Sequence, residues 1–351
     1  MSWLYEPDGN GHDLDETDVR VRPNPKGNKP RTKIRPQHTS APLGMVLGVD
    51  RGRYRVLLVN EDRMVDATLA KELRKQGPVV GDHVAMAGDT STTVGALSRI
   101  VRIEPRTTLL RRSADDSDQV ERVIVANATQ MMIVCAIANP QPRTRLIDRY
   151  LAAAYDAGLK PILCITKTDL ANPDNFLATF AGLDIPVILN RSDAPSLPAM
   201  RSVLDGQTTV VVGHSGVGKS TLVNALVPGA MRSTGVVNDV TGRGRHTSTS
   251  VRAIALAGEE EDETGITGWI IDTPGVRSFG LGHINFDNLL RSFEDLYKVI
   301  TICPRGCTHL AGSPDCALDE AIEKGSLGVH GAARVDSLRR LMASLESKSD
   351  Y

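Results

Sequence analysis

The chain has 351 residues, a formal net charge of −1, 41% apolar residues and 4% aromatic residues. That length sets an expectation of two or three domains with real cores. The near-zero charge excludes a polycation, so any nucleic-acid contact has to come from local patches. The sequence has no apolar run near the ~20 residues of a membrane span. Its polar, acidic start, Met1 to Asn10, is unlike a signal peptide, so the expectation is a soluble, cytoplasmic monomer with no membrane partner.

Residues 1 to about 40 read as disordered: Asp8, Asp13, Asp15, Glu16 and Asp18 come first, then a basic run from Arg20 to Arg35. Prolines 23, 25, 30 and 36 forbid a helix there. The segment reads either as a solvated tail or as an arm for nucleic-acid phosphates. From Leu43 the pattern turns to short β-rich runs: Leu43–Val49, Tyr54–Val59, Val79–Met86 and Ser98–Ile103. Five or so strands in this span predict a small barrel, of which the OB-fold is a common type. Tyr54 is its only aromatic residue, so base stacking has little support and backbone or protein contacts are favoured. Glu104 to Arg112 reads as a connector.

Strand and helix then alternate, which predicts a parallel sheet covered on both faces. Val123–Val125, Gln130–Ile137, Pro161–Ile165 and Pro186–Leu189 read as strands, and Leu146–Ala157 and a segment near Phe176 as helices. Cys135 and Cys164 fall in apolar runs and read as buried thiols. Thr166-Lys167-Thr168-Asp169 ends one strand and resembles the base-reading N/T-K-x-D of GTPases. Asp169 would accept from guanine N1–H and the 2-amino group, and Lys167 would cover the base. Adenine lacks that donor pair, so an unpaired Asp169 would penalise ATP. Asn190-Arg191-Ser192-Asp193 is a poorly matching candidate for a second base contact.

The strongest stretch is Val210-Val211-Val212 followed by Gly213-His214-Ser215-Gly216-Val217-Gly218-Lys219-Ser220-Thr221 and an apolar run to Leu226. This is G-x-x-x-x-G-K-S between strand and helix, the order a P-loop requires. Its glycines let backbone N–H groups turn around phosphates at the positive end of a helix. Lys219 would reach the β/γ-phosphates and Ser220 would ligate Mg²⁺. Residues 242 to 249 read as a switch loop, in which Thr247 or Thr249 would bind Mg²⁺ and sense the γ-phosphate. Val251–Ala255 and Gly268–Ile271 would pair as strands around an acidic loop at 259–263. The second runs into Asp272-Thr273-Pro274-Gly275, a D-x-x-G in which Asp272 would hold Mg²⁺ through water and the Gly275 amide would meet the γ-phosphate. Val276 follows, where Ras-like enzymes carry a water-orienting glutamine, so slow intrinsic hydrolysis is expected. His246 is the nearest polar candidate for the catalytic group, with Lys219 and Thr247 beside it; a structural or RNA-facing histidine is the alternative. The base-reading motif precedes the P-loop and D-x-x-G, so the domain is circularly permuted.

A helix is expected around Phe286–Tyr297, with others at Ala317–Lys324 and Ala332–Leu345. Between them stand Cys303, Cys307, His309 and Cys316, which would close a tetrahedral structural zinc site; the alternative is an incidental cluster of thiols. Arg334, Arg339 and Arg340 read as a basic stripe for rRNA or as a solvated face. The expected boundaries are a tail at 1–40, a barrel at 41–112, a GTPase domain at 113–284 and a helical zinc domain at 285–351.

Together these pieces resemble the ribosome small-subunit-dependent GTPase A family (RsgA/YjeQ) from about residue 40 to 345. The resemblance implies an N-terminal OB-fold, a circularly permuted α/β P-loop GTPase domain and a mostly helical zinc-binding domain, all docking on the 30S subunit. It implies late 30S maturation with GTP hydrolysis stimulated by that subunit, and 16S rRNA as a partner. It also implies Mg²⁺ at Ser220 and zinc at Cys303, Cys307, His309 and Cys316. Two departures stand out. Ser248 replaces a threonine of the family's G-x-H-T-T-T, here Gly244 to Thr249, and the ligand spacing is C-x3-C-x-H-x6-C rather than C-x4-C-x-H-x5-C. Two rival readings are an RNA-binding scaffold that holds GTP as a structural ligand with negligible hydrolysis, and an unrelated P-loop ATPase.

Overall fold

The computed structural model describes residues 38–59, 61, 63–73, 77–91, 98–113, 121–228, 230, 251–258, 265–273 and 286–346. The chain divides into residues 1–39 and 40–351, and all the described strands and helices belong to the second unit. The readings of the tail up to residue 37, the switch loop at 242–249 and the acidic loop at 259–263 lie outside the described residues. Among those described, no helix is long and apolar enough to cross a membrane.

Five strands form the first element: β1 (Leu43–Asp50), β2 (Arg53–Leu58), β3 (Arg63–Leu69), β4 (His83–Gly88) and β5 (Ser98–Ile103). They hydrogen-bond in the order β1-β2-β3-β5-β4, and β1–β4 pairing closes the ring into a barrel of OB type. Its interior is filled by Val46, Val56, Leu58, Val84, Met86 and Ile100. The sequence reading passed over β3, whose alternation turns Val65 and Ala67 inward between exposed Met64 and Asp66. Tyr54 is only 7% exposed and belongs to this core, so it offers no stacking platform. The expected strand from Val79 begins only at His83. Val79–Asp82 is instead a turn, in which the Asp82 carboxylate accepts from the Val79 N–H at 2.7 Å and pairs with Arg106. The expected connector at 104–112 is also corrected: Leu109–Ser113 is a strand, β6, paired with β7 (Glu121–Ala126).

The α/β region comprises β8 (Gln130–Ala136), α1 (Thr144–Asp156), β9 (Lys160–Thr166), α2 (Asp174–Ala178), β10 (Val187–Leu189), α3 (Leu197–Leu204), β11 (Thr208–Val212), α4 (Lys219–Leu226), β12 (Arg252–Ala257) and β13 (Ile266–Asp272). The order is β10-β9-β8-β11-β13-β12; all are parallel except β12, which runs antiparallel to β13. β8 shows why the sequence reads as one continuous apolar run. Met131, Ile133 and Cys135 pack on the α1 side, while Met132, Val134 and Ala136 pack on the side of α3 and α4. Cys135 and Cys164 are buried thiols, and burial pushes each up to about 12. A bridge between Gly48 and Arg252 joins the barrel to β12.

Beyond the sheet lie α5 (Phe286–Arg291), α6 (Glu294–Ile300), α7 (Ala317–Glu323) and α8 (Gly331–Glu346). The single helix expected around 286–297 is two, broken at Ser292–Phe293, because Phe293 turns into the core with Leu289 and Leu296. α8 buries Val335, Leu338 and Leu341 in the same core as α1.

The basic stripe is the largest correction. Arg334 forms two bonds of 2.8 and 2.9 Å to Asp295, Arg339 two of 2.8 Å to Asp319, and Arg340 two of 3.2 Å to Asp148. Arg340 also donates to the Thr179 carbonyl and stacks over Phe180. These guanidinium groups fasten α8 inward, since each can serve several acceptors in one plane.

Asp148 is 1% exposed, so Arg340→Met strands a buried carboxylate. Urea unfolding at neutral pH should show a loss of about 3 kcal/mol, and the double variant Asp148→Leu/Arg340→Met should recover most of it. Burial already raises the Asp148 carboxyl above its ordinary value. The folded chain therefore holds that proton more readily than the unfolded chain does. The deficit of the single variant is full at neutral pH and should shrink as pH falls through the raised value toward the ordinary carboxylate range.

Candidate nucleotide site and metal cluster

β11 places Val210, Val211 and Val212 deep in the sheet and releases the chain at Gly213. A Cβ at Gly213 would lie 2.3 Å from the Val134 carbonyl on neighbouring β8, and its φ is +149°. Only glycine lets the loop leave the sheet this close to another backbone. Gly218, at φ +99°, caps α4. Val217 turns back into the core at 3% exposed, so the loop is anchored in its middle. Lys219 Nζ lies under the loop and donates to the carbonyls of Gly213 at 2.6 Å and His214 at 3.0 Å. The neighbouring register sets Asp272, at the end of β13, beside Val211. Burial lowers the Lys219 ammonium, with Asp272 opposing; burial raises the Asp272 carboxyl, with Lys219 opposing. Thr273 adds a buried bond from its hydroxyl to the Val211 carbonyl at 3.0 Å.

The Thr166–Asp169 turn lies against this loop. Thr166 Oγ1 donates to the Val217 carbonyl at 2.6 Å. Lys167, at φ +59°, donates from Nζ to the Gly216 carbonyl at 3.0 Å and to the Asn139 carbonyl. The Asp169 carboxylate accepts from the Ser192 N–H at 2.6 Å, which holds it below the usual carboxylate range. Thr168 is fixed by its N–H to the Asn190 carbonyl at 3.1 Å. Asn190 itself is 1% exposed, and its side chain is taken up by the Ser196 N–H and the Cys164 sulfur. The 190–193 loop thus steers Asp169, and the sequence reading missed Asn139 and Thr273 as structural partners. The Asn139-Pro140 pair after a buried strand was the available signal for the first. His246, Thr247, Gly275 and Val276 lie outside the described residues.

In the helical region the donor atoms of Cys303, Cys307, His309 and Cys316 lie within 4.8 Å of one another. Cys316 caps α7, and the next N–H, of Ala317, donates to Cys303 Sγ at 3.3 Å. The buried His309 Nδ1 has no hydrogen-bond partner. Arg339 grips the loop through the His309 carbonyl at 3.0 Å. Burial, then the neighbouring thiols Cys316 and Cys307, push Cys303 up to about 11 against the Ala317 bond. A buried, unpartnered imidazole nitrogen on a residue clustered with three thiols fits a soft cation, whose charge would reverse that shift.

A G-x-x-x-x-G-K-S loop, a Thr-Lys-x-Asp turn bonded to it and an acidic strand end on one edge of a parallel sheet have the arrangement of a P-loop GTPase fold in permuted order. Residues 103–282 match the family described as RsgA GTPase. A relative in Ectopseudomonas mendocina, named small ribosomal subunit biogenesis GTPase RsgA, is 37% identical over 236 residues, 65% of this chain and 65% of that protein. One of the same name in Nitrosospira multiformis is 34% identical over 325 residues, 90% of this chain and 96% of that protein. The crystal structure of YloQ, a circularly permuted GTPase, matches with a TM-score of 0.61 at 27% identity, covering 90% of this chain and 99% of that one. The chain belongs to the RsgA GTPase family.

Gly213→Ala forces a methyl group onto the Val134 carbonyl. The expected result is GDP affinity reduced by more than about tenfold, with the chain still folded by circular dichroism, because strained glycine positions cost about 1–3 kcal/mol. Calorimetric titration with GDP checks it.

Proposed function

We propose that this protein binds GTP and GDP, hydrolyses GTP when docked on the 30S ribosomal subunit, and assists late maturation of that subunit. The observation that carries the reading is the pair of bonds from Thr166 and Lys167 to the Val217 and Gly216 carbonyls, which supports one cavity shared by base and phosphates. Gly213, His214, Ser215, Gly216, Val217, Gly218, Lys219, Ser220 and Thr221 would surround the phosphates, with Ser220 and Asp272 serving Mg²⁺. The turn from Thr166 to Asp169 would border the base pocket, and Asp169 would select guanine over adenine. The Gly275 amide would meet the γ-phosphate, and His246, Lys219 and Thr247 would serve the hydrolytic step. Mg²⁺, when bound, supplies charge neutralisation between the β- and γ-phosphates. The relatives' names support the assignment to the small subunit. The proposed division is a tail at 1–40, the barrel at 41–112, the GTPase domain at 113–284 and a zinc domain at 285–351, in a cytoplasmic monomer that meets 16S rRNA.

The arginines of α8 are taken up internally, so rRNA contact falls to other surfaces. Exposed Arg51, Arg53, Arg55 and Arg99 on the barrel supply positive charge of the required kind. Val276 favours a second reading, in which GTP is held as a structural ligand of an RNA-binding scaffold with negligible turnover.

Two measurements decide. Phosphate release from GTP should rise at least about tenfold when purified 30S subunits are added, well within the roughly 10³–10⁵ that a partner-supplied group can contribute in such sites; equal rates with and without subunits would leave the scaffold reading. Metal analysis should find one zinc per chain, and Cys316→Ala should lose it and unfold at lower temperature, since structural zinc contributes folding free energy directly.

A further inference from the structure

Thr166 is 6% exposed, and its hydroxyl has two neighbours: the Val217 carbonyl at 2.6 Å and the Cys135 carbonyl at 3.4 Å. Both are acceptors. A hydroxyl carries one proton, so the shorter bond commits that proton to the phosphate loop. Its side chain also lies 3.9 Å from the Cβ position of Gly218, beneath the residue that caps α4. The group therefore faces the loop and has no donor left for a base. Guanine presents N7 and O6 as acceptors and N1–H and the 2-amino group as donors. Asp169, when ionised, can only accept, so it suits the donor edge. An asparagine at 166 would carry two N–H groups and could serve loop and base together; a threonine has to choose.

We propose that Thr166 is a positioning residue that ties the base-reading turn to the phosphate loop, and that this site recognises guanine by its donor edge, with no side-chain contact from position 166 to N7. The inference rests on the guanine-nucleotide reading above and adds which base atoms are read. It separates two analogues. In 7-deaza-GDP a C–H replaces N7, and inosine diphosphate lacks the 2-amino group. A site that reads N7 loses up to about tenfold with the first, the worth of one neutral hydrogen bond. A site that reads only the donor edge loses nothing with the first and discriminates against the second, because part of Asp169 is then unpaired.

The test is competition of GDP, 7-deaza-GDP, inosine diphosphate and ADP against a fluorescent GDP, with the full chain. Wild type should bind 7-deaza-GDP within about twofold of GDP and inosine diphosphate at least about tenfold more weakly. Thr166→Val should weaken GDP and 7-deaza-GDP by the same factor, about five- to tenfold, and Thr166→Ser should restore both. Tenfold weaker 7-deaza-GDP binding by wild type overturns the proposal, and that arm needs no variant to fold. Undiminished GDP binding by Thr166→Val overturns it as well, since the hydroxyl would then hold nothing in place. ADP competing as well as GDP sinks the guanine reading beneath it, an outcome distinct from either of the others.

Discussion

The parallel register of β9, β8, β11 and β13 is the constraint on which the site depends. Ala136 stands opposite Thr166, Ile133 opposite Val212, and Val211 opposite Asp272. In a parallel sheet every strand delivers its following loop to the same edge, whatever the order in which the chain visits the strands. Thr166, Gly213 and Asp272 therefore converge although they belong to three separate strand ends. Permutation changes which loops are covalently joined and leaves the contacts intact. What it alters is the exit: the chain beyond Asp272 goes on to α5 and the metal cluster instead of returning to the sheet.

Burial sets the electrostatics of that edge. Lys219 and Asp272 are each disfavoured in their charged forms by loss of water, and each partly restores the other. Lys219 also has the Gly213 and His214 carbonyls as acceptors, which take up two of its three donors. A preorganised ammonium under such a loop sits in a medium that screens poorly, where charged groups are worth more than in water.

Much of this was legible in sequence. The G-x-x-x-x-G-K-S stretch from Gly213, the four soft ligands and the alternating strands have local signatures that survive without tertiary information. What failed was what depends on partners distant in sequence. Arg334, Arg339 and Arg340 look like a charged face when read along one helix; their carboxylates come from Asp295, Asp319 and Asp148, and no periodicity reveals such pairs. Strand β3 was missed because Asp66 and Thr68 on its outer face leave no continuous apolar run, and the break at Phe293 because helix propensity runs through it. Thr166 was the reverse case, a departure from the common asparagine whose meaning became readable only once the Val217 carbonyl stood beside it.

The two flanking regions are attached to the sheet by different proportions of polar and apolar contact. The barrel meets β12 at the Gly48–Arg252 bridge, and meets the β6–β7 hairpin through Arg106 on buried Asp82, the Asn127 amide on the Gly81 carbonyl, and Val80 beside Val125. The side-chain hydrogen bonds among these are polar, while Val80 and Val125 are buried in the core that also takes in α1. The helices after residue 286 share one hydrophobic core with α1 and one face of the sheet. α8 then sends adjacent side chains in opposite directions: Arg339 to His309 and Asp319 in the metal region, Arg340 to Asp148 on α1. α1 in turn follows the segment whose Asn139 carbonyl accepts from Lys167. A close-packed core resists small displacements. The helical region and the nucleotide domain are therefore packed around one core, and the barrel reaches that same core through Val80 and Val49.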